Sequence, residues 1–399
     1  MWITDEWWTS EFNFREEVRE GFNLPTQVLI HDATLRDGEQ TPGVVFQKEE
    51  KVAIAKALDA IGVDRIEAGM PAVSPEDMEA MKAISSLGLK AKIMAFSRAM
   101  ASDIDKAVEC GVWGIVLEVP GGLPRLKYQF NWSEDEVIRR SIEGINYAKK
   151  KGLYVCLFPY DTTRAEFTFI QKLVKEVTAS AEPDSIAIVD TTGCILPEAM
   201  RFLVAQVKSL TPLPIEVHTH NDFGLAIANS LAAVEAGAEV VHVCVNGLGE
   251  RCGNAALEEI AVSLKILLGV EVRIKLKDLY ELSQLAEKLS GVKLAVNKPI
   301  VGDIPFTRES GLGVDVFKEN PRVAFGIHPG LVNRKFQLVL GKKSGAPSIK
   351  EKLNEIGISA TEEQIRSILT KVKSAGYQKK GLLNESEFKE IVTSVLQNK

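Results

Sequence analysis

Two histidines one residue apart give the strongest chemical signal in the chain, in Val217-His218-Thr219-His220-Asn221-Asp222. If this segment ends a β-strand, residues two apart point to one face. Both imidazoles are then presented together, a pairing that suits a divalent metal. A second signal is His31-Asp32-Ala33-Thr34-Leu35-Arg36-Asp37-Gly38-Glu39-Gln40, which leaves the first apolar run. A carboxylate at the top of this first strand would complete a two-histidine, one-carboxylate set with positions left open for substrate. Arg36 beside it is a fixed cation, suited to a developing enolate or alkoxide.

The elements that must position these groups are legible as short apolar runs. They start at Val28, Arg65, Lys92, Ile115, Val155, Ser185, Ile215 and Val240. Their starts lie roughly 30 residues apart, one βα unit each. Segments such as Glu49 to Leu58 and Glu136 to Ile142 carry helical periodicity. Gly62, Gly111, Gly152 and Gly237 stop helices before the next run. Eight such units predict an α/β chain folded as a (β/α)8 TIM barrel. An open doubly wound sheet is disfavoured, because no G-x-G-x-x-G follows the first strand. In a closed eight-stranded barrel, strands one and seven are separated only by strand eight, so a carboxylate at the top of strand one can meet the histidine pair at the mouth. The predicted division is an N-terminal arm over 1–27, the barrel over 28–270, a flanking subdomain rich in glycine and proline over 271–345, and a helical C-terminal region over 346–399.

Composition excludes several classes. The 399 residues carry 48 basic and 54 acidic side chains, a net charge of −6, which lacks the basic excess of a nucleic-acid binder. No apolar run approaches the ~20 residues that span a bilayer, and the first residues do not read as a signal peptide. The five cysteines, Cys110, Cys156, Cys194, Cys244 and Cys252, show no C-x-x-C spacing. They predict reduced thiols and a cytoplasmic protein.

Five ordered motifs resemble the DRE-TIM metallolyases: Thr34–Gln40, Ile66–Pro71, Asp190–Gly193 followed by Pro197, His218–Asp222, and Asn246–Asn254. Within them the chain is most similar to the isopropylmalate, citramalate and homocitrate synthase branch, over about residues 28 to 345. The resemblance implies one divalent cation (Mn, Mg or Zn) held by Asp37, His218 and His220, with Asn254 a candidate fourth ligand. It implies that Arg36 polarises a 2-oxo group and that Thr191 holds the substrate carboxylate. Gln40 and Arg98 are further substrate-binding candidates. The branch condenses an acyl-CoA, usually acetyl-CoA, with a 2-oxo acid and then hydrolyses the thioester. Asn297–Gly302 and Glu309–Gly311 resemble the branch's flanking subdomain, which implies a homodimer with residues 297–345 reaching the partner's barrel.

The departures concern proton transfer. The synthases carry a histidine where Gly313 stands here, and Arg308 replaces another. Tyr160 stands where strand five usually carries a glutamate, and Glu118-Val119-Pro120-Gly121-Gly122 lacks the usual serine and histidine. A Claisen condensation needs a base within reach of the acyl methyl group. Tyr160, Asp161 and Glu67 are the sequence's candidates for it. His242 reads as a core residue, His328 as a turn residue or a substitute for the missing histidine, and Cys252 as a small loop residue near the metal. Two other functions stay open at this level: a retro-Claisen or aldol-type lyase on the same metal site, and a non-catalytic binding protein.

Overall fold

The structure is a computed structural model that describes residues 1–397 other than 315. Eight parallel strands close on themselves in chain order. They are β1 (Leu29–Asp32), β2 (Arg65–Glu67), β3 (Lys92–Arg98), β4 (Gly114–Pro120), β5 (Tyr154–Tyr160), β6 (Ser185–Asp190), β7 (Ile215–Thr219) and β8 (Val240–Val243). The closing pair runs from Leu29 opposite Val240 to Asp32 opposite Val243. This is the TIM barrel expected from the spacing of the apolar runs.

Helices α1 (Lys48–Ile61), α2 (Pro75–Ser85), α3 (Ala101–Glu109), α4 (Glu134–Lys150), α5 (Phe167–Ser180), α6 (Pro197–Lys208), α7 (Ala226–Glu235) and α8 (Leu257–Ser263) alternate with the strands. Their ends follow from local chemistry. In α1, Gln47 and Glu50 form a reciprocal cap. In α2 and α4, the Ser74 and Ser133 hydroxyls accept the amides of Asp77 and Glu136. Gly62 ends α1 at φ 100°, and a Cβ there would sit 2.7 Å from the Arg273 carbonyl oxygen, so no other residue fits.

Residues two apart on each strand share a face. Met94, Phe96, Val116, Cys156, Phe158, Ala187 and Val189 therefore form one packed cluster inside the barrel. The active-face side chains stand on this cluster.

The chain divides into two compact units. The barrel unit holds Glu11–Leu294 and includes α9 (Leu279–Ser290). Its N-terminal stretch is tied down locally: the Asn23 amide donates to the Glu235 carbonyl at 2.7 Å, and Arg19 Nη2 donates to the Leu268 carbonyl at 2.9 Å. The second unit holds Ala295–Lys399 together with Trp2–Ser10. There Trp7 bridges Ile327, and the Trp8 amide donates to the Gly326 carbonyl at 2.9 Å. The tryptophan-rich segment thus belongs to the C-terminal unit and is not part of one continuous arm over 1–27.

Within the second unit, β9 (Thr307–Arg308) pairs in parallel with β10 (Gln337–Leu338). Helices α10 (Ala346–Glu355), α11 (Glu362–Lys379) and α12 (Glu385–Leu396) enclose a core of their own, built on Ile349, Leu353, Ile365, Ile368, Phe388 and Val392. His328 Nδ1 accepts the Gly330 amide at 3.0 Å and the side chain is exposed, which makes it a turn-capping residue. No helix among the described residues is long and apolar enough to cross a membrane.

Candidate active site and metal centre

β7 carries His218 near its end, and His220 follows directly. Asp37 lies in the turn after β1. The structure brings all three together: Asp37 Oδ2 is 3.3 Å from His218 Nε2 and 3.7 Å from His220 Nε2, and the two Nε2 atoms are 3.3 Å apart. All three side chains are buried.

The loop after β8 closes over this cluster. Asn246, Gly247, Gly249, Arg251 and Gly253 all take positive φ. A Cβ on Gly253 would run into the Gly247 carbonyl, and one on Gly249 into the Asn254 amide. The glycines are there because only they let the loop turn so tightly. The turn sets Asn254 opposite His220 in an isolated bridge.

The donor set fits a divalent cation. Asn254 Nδ2 donates to the Leu248 carbonyl at 3.0 Å, yet its buried Oδ1 has no partner. An orphaned carbonyl oxygen beside two imidazoles and a carboxylate is a group awaiting a ligand. Burial lowers both histidines below their usual range, His220 to about 4, so both rings are neutral near pH 7, as coordination requires. Burial alone would raise Asp37, but the Arg36 guanidinium and the two imidazoles outweigh it and hold the carboxyl well below its usual range.

Arg36 is clamped. Its Nε donates to Glu67 Oε1 at 2.5 Å and its Nη1 to Asp37 Oδ2 at 2.8 Å, and its guanidinium carbon lies 4.3 Å from the Phe96 ring centroid. A cavity of about 280 Å³ opens beside it, lined by Leu35, Arg36, Gln40, Met70 and Phe96 among others. A larger cavity, about 640 Å³, lies in the second unit among Lys342, Lys343, Tyr377 and Lys380. No histidine lines it.

The sequence's three base candidates are all engaged elsewhere. Glu67 is fully buried between Arg36 and His31 Nε2, the latter at 3.2 Å. Burial opposes its charge, but Arg36 and His31 prevail and lower it to about 2. Such an anion positions Arg36 and is a very weak base. Asp161 sits at φ 68° with both oxygens taken by Arg164 at 2.7 Å. Tyr160 is pushed above the usual phenol range by burial and by the Glu118 charge. Its physical state at neutral pH is a protonated hydroxyl, 3.5 Å from Gln129 Oε1.

The binding candidates are distributed around the rim. Thr191 Oγ1 accepts the Asp161 amide at 2.7 Å and keeps its own proton free to donate. Gln40 is exposed and 3.4 Å from Arg36 Nη1. Arg98 forks onto Asp103 at 2.6 and 3.1 Å with about half its side chain in solvent. Cys252 is exposed.

Beneath the site lies a network that sequence reasoning missed. Glu216 accepts from Arg65 Nη1 at 2.7 Å and from His242 Nε2 at 2.7 Å, and His242 stacks on His31 with centroids 4.0 Å apart. His31, Glu216 and His242 have metal-like spacing. The guanidinium already neutralises that carboxylate, so the group reads as a buried charge network. No sequence spacing reports it, because it joins β1, β2, β7 and β8 through barrel register.

This network sets the acid response. His242 is lowered to about 4 by burial and by neighbouring His31, so the unfolded chain binds the proton first. The stability it contributes is complete above about pH 6.5 and is lost as pH falls toward 4, a difference of about 3 kcal/mol. Glu67, lowered to about 2, loses its contribution in the same direction between about pH 4.5 and 2. Urea unfolding of metal-free protein at pH 7 and pH 4.5 should show a lower midpoint at pH 4.5. Equal midpoints would contradict the burial of a neutral His242.

Residues 27–286 match the family described as HMGL-like, and residues 300–380 match the homocitrate synthase post-HMGL domain-like family. The chain is 40% identical over 385 residues to the homocitrate synthase AksA of Methanopyrus kandleri, covering 96% of each chain. It is 43% identical to the 2-isopropylmalate synthase of Methanocaldococcus jannaschii, covering 90% of this chain and 70% of that one. A putative (R)-citramalate synthase of Archaeoglobus fulgidus is also 43% identical, with 94% and 76% covered. Among solved structures, the Bacillus subtilis HMG-CoA lyase superposes with a TM-score of 0.60 at 21% identity, covering 68% of this chain and 96% of that one, a likeness of fold. The chain belongs to the HMGL-like family.

Proposed function

We propose that the chain is a condensing acyltransferase of the 2-alkylmalate and homocitrate synthase type. It joins the α-carbon of an acyl-CoA, acetyl-CoA in the first instance, to the keto carbon of a 2-oxo acid, and water then releases CoA. The observation that carries this reading is the Asp37, His218, His220 and Asn254 donor set, with its orphaned amide oxygen, directly beside a clamped Arg36.

Asp37, His218 and His220 would hold the cation, with Asn254 Oδ1 as a fourth protein ligand. A divalent cation bound there would supply Lewis-acid polarisation of the carbonyl of a 2-oxo acid. Arg36 faces the same carbonyl oxygen and stabilises the charge that develops on it. Glu67 and Phe96 fix the guanidinium so that it need not reorganise during reaction. Thr191 donates its free hydroxyl proton to the substrate carboxylate, while Gln40 and Arg98 line the approach.

The test is thiol release from acetyl-CoA with pyruvate, 2-oxoisovalerate, 2-oxoglutarate, oxaloacetate or glyoxylate in turn. Stimulation by one of them, with a hydroxy-acid product by mass, supports the reading. Cleavage of a 3-hydroxy acid or its CoA ester, with no stimulated release, overturns it in favour of a lyase.

The chain is also proposed to be a homodimer. Leu123, Leu196 and Phe223, on the loops after β4, β6 and β7, are 45, 63 and 72% exposed, and large apolar side chains gathered on one rim mark an interaction surface. Light scattering should give twice the chain mass at micromolar concentration; a monomer mass rejects the assembly.

A further inference from the structure

The condensation proposed above needs a proton acceptor, and the sequence's three candidates for it are occupied. One other carboxylate stands at the barrel mouth. Glu118 lies on β4, two residues before the strand ends, in register with Arg98 of β3 and Phe158 of β5. Registered residues of neighbouring parallel strands point to one face. Phe158 belongs to the inner cluster and packs its ring 5.3 Å from that of His218. Val116, two residues before Glu118, is in the same cluster. Glu118 therefore projects into the barrel, on the face where Phe158 packs against His218 and Phe96 against Arg36.

We propose that the Glu118 carboxylate is the general base that takes the proton from the acyl donor's α-carbon. Its surroundings fit that role. It takes part in none of the hydrogen bonds or salt bridges of the described residues, unlike Glu67 and Asp161, so its lone pairs are free for substrate. It is half-buried, shielded yet reachable. Burial raises it above the usual carboxylate range, while Arg36, Arg98 and Arg125 pull the other way and Glu67 adds to the rise. A raised carboxylate is a stronger base than one held near 2, as Glu67 is. Tyr160, at the end of the adjacent strand, stands where the resemblance places a glutamate. On this reading the chain moves the carboxylate from strand five to strand four.

The step balances. The α-C–H bond breaks and its proton goes to Glu118. The electron pair forms the new C–C bond to the keto carbon, and the carbonyl π pair moves to the oxygen beside Arg36. That oxygen takes a proton from solvent and Glu118 returns one, which regenerates the base. Water then gives its hydroxyl to the thioester carbon and its proton to the departing sulfur.

The test compares full-length wild type, Glu118→Gln and Glu118→Asp in thiol release, with oxo-acid affinity measured by calorimetry in the absence of acyl-CoA. Loss of a general base is expected to lower turnover of Glu118→Gln by about 10²–10⁴-fold. Oxo-acid affinity should stay within about threefold of wild type, because the lost interaction is made in the transition state. Glu118→Asp should retain part of the turnover with a shifted acidic limb in its pH profile. A Glu118→Gln variant that turns over at about wild-type rate overturns the proposal and leaves the condensing function standing. A variant that loses oxo-acid binding in proportion to turnover overturns it too, and makes Glu118 structural. Wild type that releases no thiol with any oxo acid overturns the function and the base together. If Glu118→Gln does not fold, Glu118→Asp decides, and an unshifted acidic limb at full turnover overturns the proposal.

Discussion

Arg36→Ala is expected to lose both turnover and stability. The guanidinium neutralises Glu67, which has no exposed surface, and it touches Asp37 at 2.8 Å. Removing one partner of a buried ion pair leaves an uncompensated charge and costs about 3–5 kcal/mol. Glu67 would answer by taking up a proton at a much higher pH. Loss of the cation facing the developing oxyanion is expected to lower turnover by a further ~10²–10³-fold. The two effects separate in Arg36→Lys, which keeps the charge but not the fork that spans Glu67 and Asp37. That variant should recover more stability than turnover. Chemical denaturation and steady-state thiol release read the two losses. An Arg36→Ala protein with wild-type midpoint and rate would contradict the site as described.

The His218→Ala, His220→Ala double variant is the second large effect. Two of three charged or strongly donating ligands disappear, leaving Asp37 and Asn254, too few to hold a cation tightly. Metal content by elemental analysis should fall from about one per chain to background. Lewis-acid assistance is worth several kcal/mol, so turnover should fall by ~10³-fold or more. The wild type should lose thermal midpoint on chelation, because a cation bound only to the folded chain stabilises it by mass action. The double variant should be insensitive to chelator. A double variant that keeps its metal would displace the centre to another set of ligands.

Much of this was legible before the fold was known. The eight apolar runs each fall on a strand, because parallel barrel strands are buried on both faces and read as near-continuous apolar segments. The His-x-His spacing alone presents His218 and His220 on one face, and the family resemblance singles out Asp37 after the first strand, where a barrel exposes chemistry. What was not legible depends on register between distant segments. Glu216 lies in an otherwise apolar run, and nothing near it in sequence announces Arg65, His31 or His242 as partners. Glu118 likewise reads as one polar residue in a strand until Phe158 fixes which way it points. Asp161 illustrates a different failure. Its Asp-x-x-Arg spacing to Arg164 was visible, but the left-handed backbone that turns both oxygens toward that arginine was not. The C-terminal helices look polar in sequence because their apolar residues, such as Ile365, Ile368 and Val372 on α11, are thinly spaced. Packed together, those residues make a core of their own.

Condensation at the α-carbon has one direct signature. Acetyl-CoA carrying three deuterons on its methyl group is incubated with the protein and the oxo acid that stimulates thiol release, and the product is analysed by mass. Formation of the new carbon–carbon bond removes one deuteron, so the expected product is a hydroxy acid whose new methylene keeps two. Acetate that keeps all three deuterons, with the oxo acid unchanged, would mean simple thioester hydrolysis and would contradict the central claim.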